Sequence, residues 1–236
     1  PSVAGLSFVG STPVAKHLRI RGIENDKRVQ AFGSGKNHMI VLPDAELDMA
    51  ADAAVSAAFG AAGQRCMAIS VVVAVGDIGD QLVTKIAQRI PDIVVGSTAD
   101  AAVQLGPVIS PESKQRIHGF IEGVESSGAS LIIDGRLQDD QDGWLVGASL
   151  VDHVKPGMPV YDQEVFGPVL CVVRASTYKE AMDIVASHPL GNGAAIFTRD
   201  GGAAKRYADD IQAGMVGINV PIPVPPWSHS FGGWKA

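Results

Sequence analysis

The chain has 236 residues, of which 46% are hydrophobic and 19% are charged, a composition typical of a globular protein. Its formal net charge is −6 and it has no lysine- or arginine-rich run, which argues against a nucleic-acid partner. No apolar run approaches the roughly 18 residues needed to cross a bilayer. Two cysteines are too few for a disulfide framework, so a reducing, intracellular location is expected.

The first predicted element is a buried strand at residues 5–9, which leads into the turn GSTP. Ser11 or Thr12 could cap the following helix, which is expected to run to about residue 20. A strand that reaches a helix N-terminus through Gly10 and Ser11 could bind a phosphate, because free N–H groups and the helix dipole point at it. A purely structural turn is the alternative.

A glycine-rich turn at residues 33–35 follows. Strands are predicted on either side of it, at residues 27–32 and 37–42. The turn resembles part of a phosphate loop, but Gln30 stands where that motif needs glycine and Asn37 where it needs serine or threonine. His38 likewise replaces the last glycine of the dinucleotide-binding pattern. Neither phosphate-binding motif is therefore complete here.

The next stretch, FGAAGQRCMAIS, contains the candidate nucleophile. A helix capped by Asp44 is predicted to end at Gly60, and Cys66 comes after the glycine-rich turn. Arg65 supplies a cation beside the sulfur, which favours thiolate, and the small neighbours leave room for a substrate. Cys171 lies inside the apolar run VLCVVR and is predicted to be core. A buried filler is the alternative for Cys66.

The rest of the chain alternates strands with helices. Strands are predicted at residues 70–75, 130–133, 144–151, 169–174, 194–198 and 215–220, and helices at 81–90, 113–125, 178–187 and 202–210. Residues 92–96 are expected to be a short strand or extended link, 105–107 a turn, 135–143 a solvated acidic loop, and the Pro-rich tail an ordered loop or lining segment. The alternation predicts an α/β fold with a mostly parallel sheet.

Polar side chains outside the cysteine stretch add one further candidate. Glu164 stands beside Phe166, so its carboxylate could hold a ribose hydroxyl while the ring covers a flat heterocycle; a surface carboxylate is the alternative. The six histidines are scattered without metal-ligand spacing, so no metal site is expected. A Cys-His hydrolase stays open, since triads assemble in space.

Four motifs in order resemble the aldehyde dehydrogenase superfamily. They are SFVGSTPVA at 7–15, FGAAGQRCMA at 59–68, EVFGPVL at 164–170 and GNGAAIFTRDGGAA at 191–204. The stretches GSGKNHMIVLPDA, GQRCMA, GMVGINVPIPVP and FGGWK resemble its CoA-dependent methylmalonate-semialdehyde dehydrogenase branch. The resemblance implies that residues 1–34 are the remnant of a Rossmann-type NAD-binding domain and 35–236 a catalytic domain.

The resemblance also implies NAD as cofactor. Its contacts would be Gly10 and Ser11 on the phosphate side, Gly33 near the nicotinamide amide, Glu164 on the ribose and Phe166 beside the nicotinamide. The oxyanion-hole asparagine and the adenosine-binding lysine of the family have no counterpart in this chain. A poorly active fragment is therefore expected, from a full-length homo-oligomer of the bacterial cytoplasm or the mitochondrial matrix.

The resemblance implies Cys66 as nucleophile and Arg65 as the partner of the substrate carboxylate. Phe32 stands four residues before Lys36, where hydrolytic members carry a glutamate base. A phenylalanine cannot activate water, so the expected acceptor of the acyl group is coenzyme A, giving propanoyl-CoA or acetyl-CoA after loss of CO2. A hydrolytic NAD(P)-dependent enzyme with its base elsewhere, and a catalytically silent module for assembly or binding, are the alternatives.

Overall fold

A computed structural model describes residues 2–136, 143–230 and 233–235. The strands are β1 (Gly5–Val9), β2 (Arg28–Phe32), β3 (Asn37–Val41), β4 (Ile69–Val75), β5 (Ser130–Ile133), β6 (Ser149–Asp152), β7 (Val169–Ala175), β8 (Gly193–Phe197) and β9 (Met215–Ile218). The helices are α1 (Thr12–Glu24), α2 (Leu47–Phe59), α3 (Gly79–Arg89), α4 (Pro111–Ser126), α5 (Pro159–Asp162), α6 (Tyr178–Ser187) and α7 (Gly201–Asp210).

The main sheet has seven strands in the order β5-β6-β7-β4-β3-β8-β9. All neighbouring pairs are parallel except β5 and β6, which confirms the predicted α/β fold with a mostly parallel sheet. β3 and β4 lie in the middle and are almost entirely buried, as expected of parallel strands covered by helices. The alanine-rich helix α2 packs against β4 and β7. This central packing fixes both ends of the segment that carries Cys66.

A second, two-stranded parallel sheet is formed by β1 and β2, with α1 packed against it. Both strands are only partly buried. The division of the chain at residues 34 and 35 into two domains remains a prediction. Within the described residues, no helix is both long and apolar enough to cross a membrane.

Four local predictions are wrong in detail. The strand at residues 5–9 forms, but it is partly exposed and not buried. Glu46, not Asp44, caps α2, because its carboxylate accepts hydrogen bonds from Asp48 N and Met49 N. Asp44 instead accepts from the hydroxyl of Thr198 and from two N–H groups after it. The strand predicted at 144–151 forms only at Ser149–Asp152, and residues 105–107 are not a turn, since Leu105 forms an isolated parallel bridge with Val95.

Some predicted features fall partly on residues that are not described. Of the acidic loop at 135–143, residues 137–142 lie outside the described residues. Of the FGGWK motif, Phe231 and Gly232 also lie outside them. Lys235 is described, and its ammonium group donates hydrogen bonds to the carbonyls of Val185 and His188 at the end of α6. Lys235 therefore ties the end of the described chain to the C-terminus of α6.

Candidate active site

Cys66 lies on an exposed turn between α2 and the buried strand β4. The turn spans Arg65 to Ala68 and is closed by a hydrogen bond of 3.0 Å from Ala68 N to Arg65 O. Cys171 lies in β7 and is 1% exposed, which confirms the prediction that it belongs to the core. Burial raises the pKa of the Cys171 thiol. Of the two thiols, only Cys66 is therefore accessible to a substrate.

The backbone before Cys66 is left-handed at three consecutive positions. The φ angles are 53° at Ala61, 54° at Ala62 and 68° at Gly63. A Cβ added at Gly63 would overlap the carbonyl of Gly167, in the segment that follows Glu164. Only glycine permits both this φ and this approach. Gly63 thereby brings the Glu164 segment against the cysteine turn.

Replacement of Gly63 by alanine is expected to lower the free energy of unfolding by roughly 2–5 kcal/mol, from left-handed strain and overpacking together. Gly157→Ala is the matched control, because Gly157 also has a positive φ (94°) but nothing lies within 4 Å of an added Cβ. Urea unfolding of both variants measures the difference. Equal losses would show that Gly167 tolerates the extra methyl group.

Four consecutive residues that lead into β3, residues 34–37, each hold a different part of the site. Ser34 N donates to Thr12 Oγ1 at 3.0 Å, at the N-terminus of α1. Gly35 N donates to Glu164 Oε1 at 3.0 Å. Lys36 and Asn37, both buried, contact the segment before Glu164 and the cysteine turn. Residues 34–37, which we call the organising loop, thus connect the predicted phosphate turn, carboxylate and thiol.

Lys36 is 1% exposed, and its ammonium group donates to Val160 O at 2.7 Å and Gln163 O at 2.8 Å. Burial lowers its pKa, partly offset by Cys171 and Glu164. A lysine with two carbonyl partners is a structural anchor, here for α5 and the residues that precede Glu164. Neither Lys36 nor the short helix α5 carries a sequence signal that predicts this contact.

The cavity at the turn, which we call the thiol cleft, is lined by Gly35, Arg65, Cys66, Glu164 and Phe166 among others. Phe166 has a φ of 48° and is 39% exposed, so its ring is available at the cleft. The guanidinium of Arg65 lies against Gly60, where an added Cβ would be 2.8 Å from Nη1. Within the described residues, the guanidinium group of Arg65 has no ion-pair or hydrogen-bond partner. The structure therefore brings together four of the predicted site residues.

The predicted phosphate-side residues form a second group at the start of α1. Ser11 is the exposed N-cap residue of α1, and its side chain makes no capping hydrogen bond. Gly10 N donates to Phe32 O at 3.1 Å, and Gly33 packs so closely on Thr12 that an added Cβ would be 2.6 Å from its hydroxyl. None of Gly10, Ser11 and Gly33 lines the thiol cleft. The organising loop is what joins the two groups.

Two asparagines that were not predicted as site residues contact the nucleophile turn. Asn37 Nδ2 donates to Cys66 O at 2.9 Å and to Ala68 O at 2.8 Å, while its Oδ1 accepts from Gly193 N at 2.8 Å. Asn192 Nδ2 donates to the same Cys66 carbonyl at 3.1 Å. For Asn37 the available sequence signal was a polar residue at the start of an apolar, buried strand. No sequence signal indicated the contact of Asn192 with the cysteine turn.

A buried aromatic cluster behind the organising loop contains His38, Tyr161 and His188. His38 Nε2 lies 3.2 Å from Tyr161 Oη, and the ring centroids of the three residues are 5.1–5.6 Å apart. Burial, followed by repulsion from His188 and Lys36, lowers the pKa of His38 well below its ordinary value. Burial also lowers the pKa of His188. In the described part of the chain, no group of three His, Cys, Asp or Glu residues could hold a metal ion.

This cluster predicts a loss of stability in acid. A histidine with a lowered folded pKa stabilises the fold fully above its unfolded pKa of about 6.5, and this contribution falls as the pH drops below that value. For each such histidine, the free energy of unfolding is expected to fall by up to about 1.4 kcal/mol for every unit by which the pH drops. Urea unfolding at pH 7.5 and 5.5 measures the loss, which should shrink in His38→Gln. The exposed His17→Gln is the control, and an equal effect there would contradict the assignment to His38.

The fold and the cleft together define an α/β domain with an accessible thiol beside an arginine, a carboxylate and an aromatic ring. The model of the aldehyde dehydrogenase family matches residues 1–236, and the chain belongs to that family. This confirms the resemblance drawn from the four motifs.

Several similar proteins carry the name methylmalonate-semialdehyde dehydrogenase or malonate-semialdehyde dehydrogenase. The chain is 46% identical to a malonate-semialdehyde dehydrogenase of Pseudomonas aeruginosa over 100% of its own length and 48% of that protein. It is 48% identical, with a TM-score of 0.96, to a putative methylmalonate-semialdehyde dehydrogenase of Sinorhizobium meliloti crystallised with NAD, and covers 49% of it. A betaine aldehyde dehydrogenase of Staphylococcus aureus with NAD+ gives 29% identity and a TM-score of 0.92. The chain spans about half the length of the curated relatives it matches.

Proposed function

We propose that the chain is the thiol-bearing part of an NAD-dependent dehydrogenase that oxidises malonate or methylmalonate semialdehyde and transfers the product to coenzyme A. The supporting observation is the thiol cleft, where the exposed Cys66 shares one cavity with Arg65, Glu164 and Phe166. The names of the similar proteins, malonate- and methylmalonate-semialdehyde dehydrogenase, support this substrate class. The domain division at residues 34 and 35 belongs to the same proposal.

The chemistry begins with the Cys66 thiolate, which adds to the aldehyde carbon and gives a thiohemiacetal. Among the described residues, the Cys66 N–H has no hydrogen-bond partner, so it is available to the oxyanion that this addition forms. Arg65 holds the substrate carboxylate through a bidentate, charge-assisted contact. Oxidation leaves a thioester on Cys66, and loss of CO2 from the β-carboxylate, with uptake of one proton, leaves a shorter acyl group.

The residues at the cleft fit NAD. When bound, NAD supplies the hydride acceptor for the oxidation. One carboxylate oxygen of Glu164 accepts a hydrogen bond from Gly35 N, which orients the carboxylate. The carboxylate can also accept hydrogen bonds from the ribose hydroxyls in the cleft. The exposed ring of Phe166 offers a flat apolar surface for the nicotinamide. The Ser11 hydroxyl, which does not cap α1, remains available at a helix N-terminus that favours phosphate.

Resolution of the thioester is assigned to the thiol of coenzyme A, which attacks the acyl carbon and releases the Cys66 thiolate. Phe32, at the end of β2, cannot act as a base for water. Glu164 is the one carboxylate among the residues that line the cleft in the described structure. We assign it to cofactor binding, which its fixed orientation on Gly35 N supports. A hydrolytic enzyme would need Glu164, or a residue elsewhere, as base.

Product analysis tests this function. The chain is incubated with malonate semialdehyde, NAD and coenzyme A, and acetyl-CoA, free acetate and CO2 are quantified. A full-length relative, such as the Pseudomonas aeruginosa protein, serves as the positive control for the assay. Acetyl-CoA formation that depends on coenzyme A supports the proposal. Free acid formed at the same rate without coenzyme A would favour the hydrolytic alternative.

Arg65→Gln is expected to raise KM for malonate semialdehyde by about 10- to 100-fold, because a charge-assisted hydrogen bond contributes about 1.5–3 kcal/mol. Propanal, which has no carboxylate, should show less than about a three-fold change. Steady-state kinetics with both aldehydes give the comparison. Equal effects on the two substrates would mean that Arg65 acts on the thiol and not on the substrate carboxylate.

A further inference from the structure

Cys66 occupies the second position of a four-residue β-turn, Arg65 to Ala68, so its carbonyl belongs to the central peptide of that turn. The hydrogen bond from Ala68 N to Arg65 O closes the turn at 3.0 Å. That bond does not involve the central peptide. Rotation of the central peptide interconverts type I and type II geometry while the closing bond stays intact, and type II requires a positive φ at the third position. That position is Met67, whose φ is not positive in this structure.

Two side chains hold this peptide. Asn37 Nδ2 donates to Cys66 O at 2.9 Å and Asn192 Nδ2 donates to the same oxygen at 3.1 Å. Asn37 comes from the start of β3, and Asn192 immediately precedes β8, so the contacts arrive from two elements far apart in sequence. Rotation of the central peptide would break both donations together. It would also leave the buried amide of Asn37, which is 2% exposed, without one of its acceptors.

The asparagines are themselves held in place. Asn37 also donates to Ala68 O at 2.8 Å and accepts from Gly193 N at 2.8 Å, which ties it to the turn and to β8. Asn192 is held through its backbone, because Met215 N donates to its carbonyl at 3.0 Å. Asn37 therefore presents a fixed donor to the Cys66 carbonyl, and Asn192 adds a second donor from an anchored backbone.

We propose that Asn37 and Asn192 are positioning residues that lock the central peptide of the nucleophile turn. The inference rests on the proposed role of Cys66 as nucleophile and concerns how its backbone is held. The two hydrogen bonds keep Cys66 in one orientation. Its thiolate is then aimed at the substrate and its N–H at the developing oxyanion. This orientation matters for acyl transfer, which forms an oxyanion next to Cys66 N, and much less for simple alkylation of the sulfur, which forms none.

The test compares these two reactions in Asn192→Ala and in Asn192→Asp, which keeps the size but lacks the donor. p-Nitrophenyl acetate acylates a thiolate and releases nitrophenol, whereas iodoacetamide alkylates it with loss of iodide; neither needs NAD. We expect the acylation rate to fall about 10- to 100-fold, in line with the cost of misplacing a reacting group by about 1 Å. The iodoacetamide rate at Cys66 should change less than about three-fold. The buried Cys171 should stay unlabelled, which excludes loss of the fold as the cause of slower acylation.

Asn219→Ala is the matched control, because Asn219 exchanges hydrogen bonds of 3.0 Å with the backbone of Thr198, away from the cleft. It should leave both rates unchanged. A direct readout is 15N relaxation dispersion at Met67, whose N–H belongs to the central peptide. Exchange that appears in Asn192→Ala and not in Asn219→Ala supports the lock. Unchanged acylation in both Asn192 variants, or an equal loss in Asn219→Ala, overturns it. Full acylation in a Cys66→Ala chain would instead overturn the proposed function.

Discussion

Cys66→Ala is expected to reduce acyl transfer by about 10⁴-fold or more, because removal of a catalytic nucleophile leaves only binding and oxyanion stabilisation. Cys171→Ala is the matched control. Its sulfur is enclosed in β7, and the nearest polar contact is the carbonyl of Val160 at 3.8 Å. The variant should lose roughly 1 kcal/mol of stability from the small cavity and keep its activity.

The experiment uses the nitrophenol burst with p-nitrophenyl acetate and mass spectrometry of the acylated chain. In the native chain one acetyl group should appear on the peptide that contains Cys66. Iodoacetamide labelling of the folded protein should follow the same preference, since Cys66 is exposed and Cys171 is buried. If Cys171 were labelled as fast as Cys66, the chain would be better described as a module without a working nucleophile.

The distinction between the two cysteines was predictable because it depends on near neighbours in sequence. The run VLCVVR indicates a buried strand and therefore a buried Cys171. The glycine-rich turn before Cys66 indicates an exposed cysteine. The parallel sheet was predictable for the same reason, since alternating strands and helices need crossover connections. These local signals were sufficient for the fold class and for the thiol.

The contacts that hold the thiol could not be predicted in this way. Asn37 reaches Cys66 across 29 residues and Gly193 across 156, so their proximity depends on the order of β4, β3 and β8 in the sheet. In the sequence, Asn37 is recognisable only as the residue that breaks a phosphate-loop pattern and as part of GSGKNHMIVLPDA. The residue types were visible, but strand order determines which of them meet.

The left-handed turn illustrates a different limit. Glycines at residues 60 and 63 indicated a flexible end to the helix, but Ala61 and Ala62 carry the same left-handed φ as Gly63. Alanine gives no signal for that conformation, which costs it about 1–2 kcal/mol per residue. The cap of α2 was missed similarly. Asp44 is a good cap by type, but Thr198 and the following N–H groups engage it across 154 to 156 residues.

Phe32→Glu is expected to convert part of the product from acyl-CoA to free acid. Phe32 ends β2, one residue before the organising loop, and its carbonyl accepts a hydrogen bond from Gly10 N. A carboxylate placed there could remove a proton from water as it attacks the thioester on Cys66. General-base catalysis typically contributes about 10²- to 10⁴-fold. No neighbouring residue orients the new carboxylate, so we expect the rate of thioester hydrolysis to rise by the lower end of this range, about 100-fold.

Phe32→Gln separates the base from the change in size and polarity, since glutamine has the shape of glutamate but cannot accept the proton. The acetyl group on Cys66 is followed by mass spectrometry without coenzyme A, and its decay gives the rate of hydrolysis. The glutamate variant should deacylate faster than both the native chain and Phe32→Gln, with the gain lost as the pH falls and the new carboxylate is protonated. Equal decay in the two variants would mean that residue 32 does not reach the thioester. The proposed preference for coenzyme A over water would then have to depend on exclusion of water from the cleft and not on the missing base.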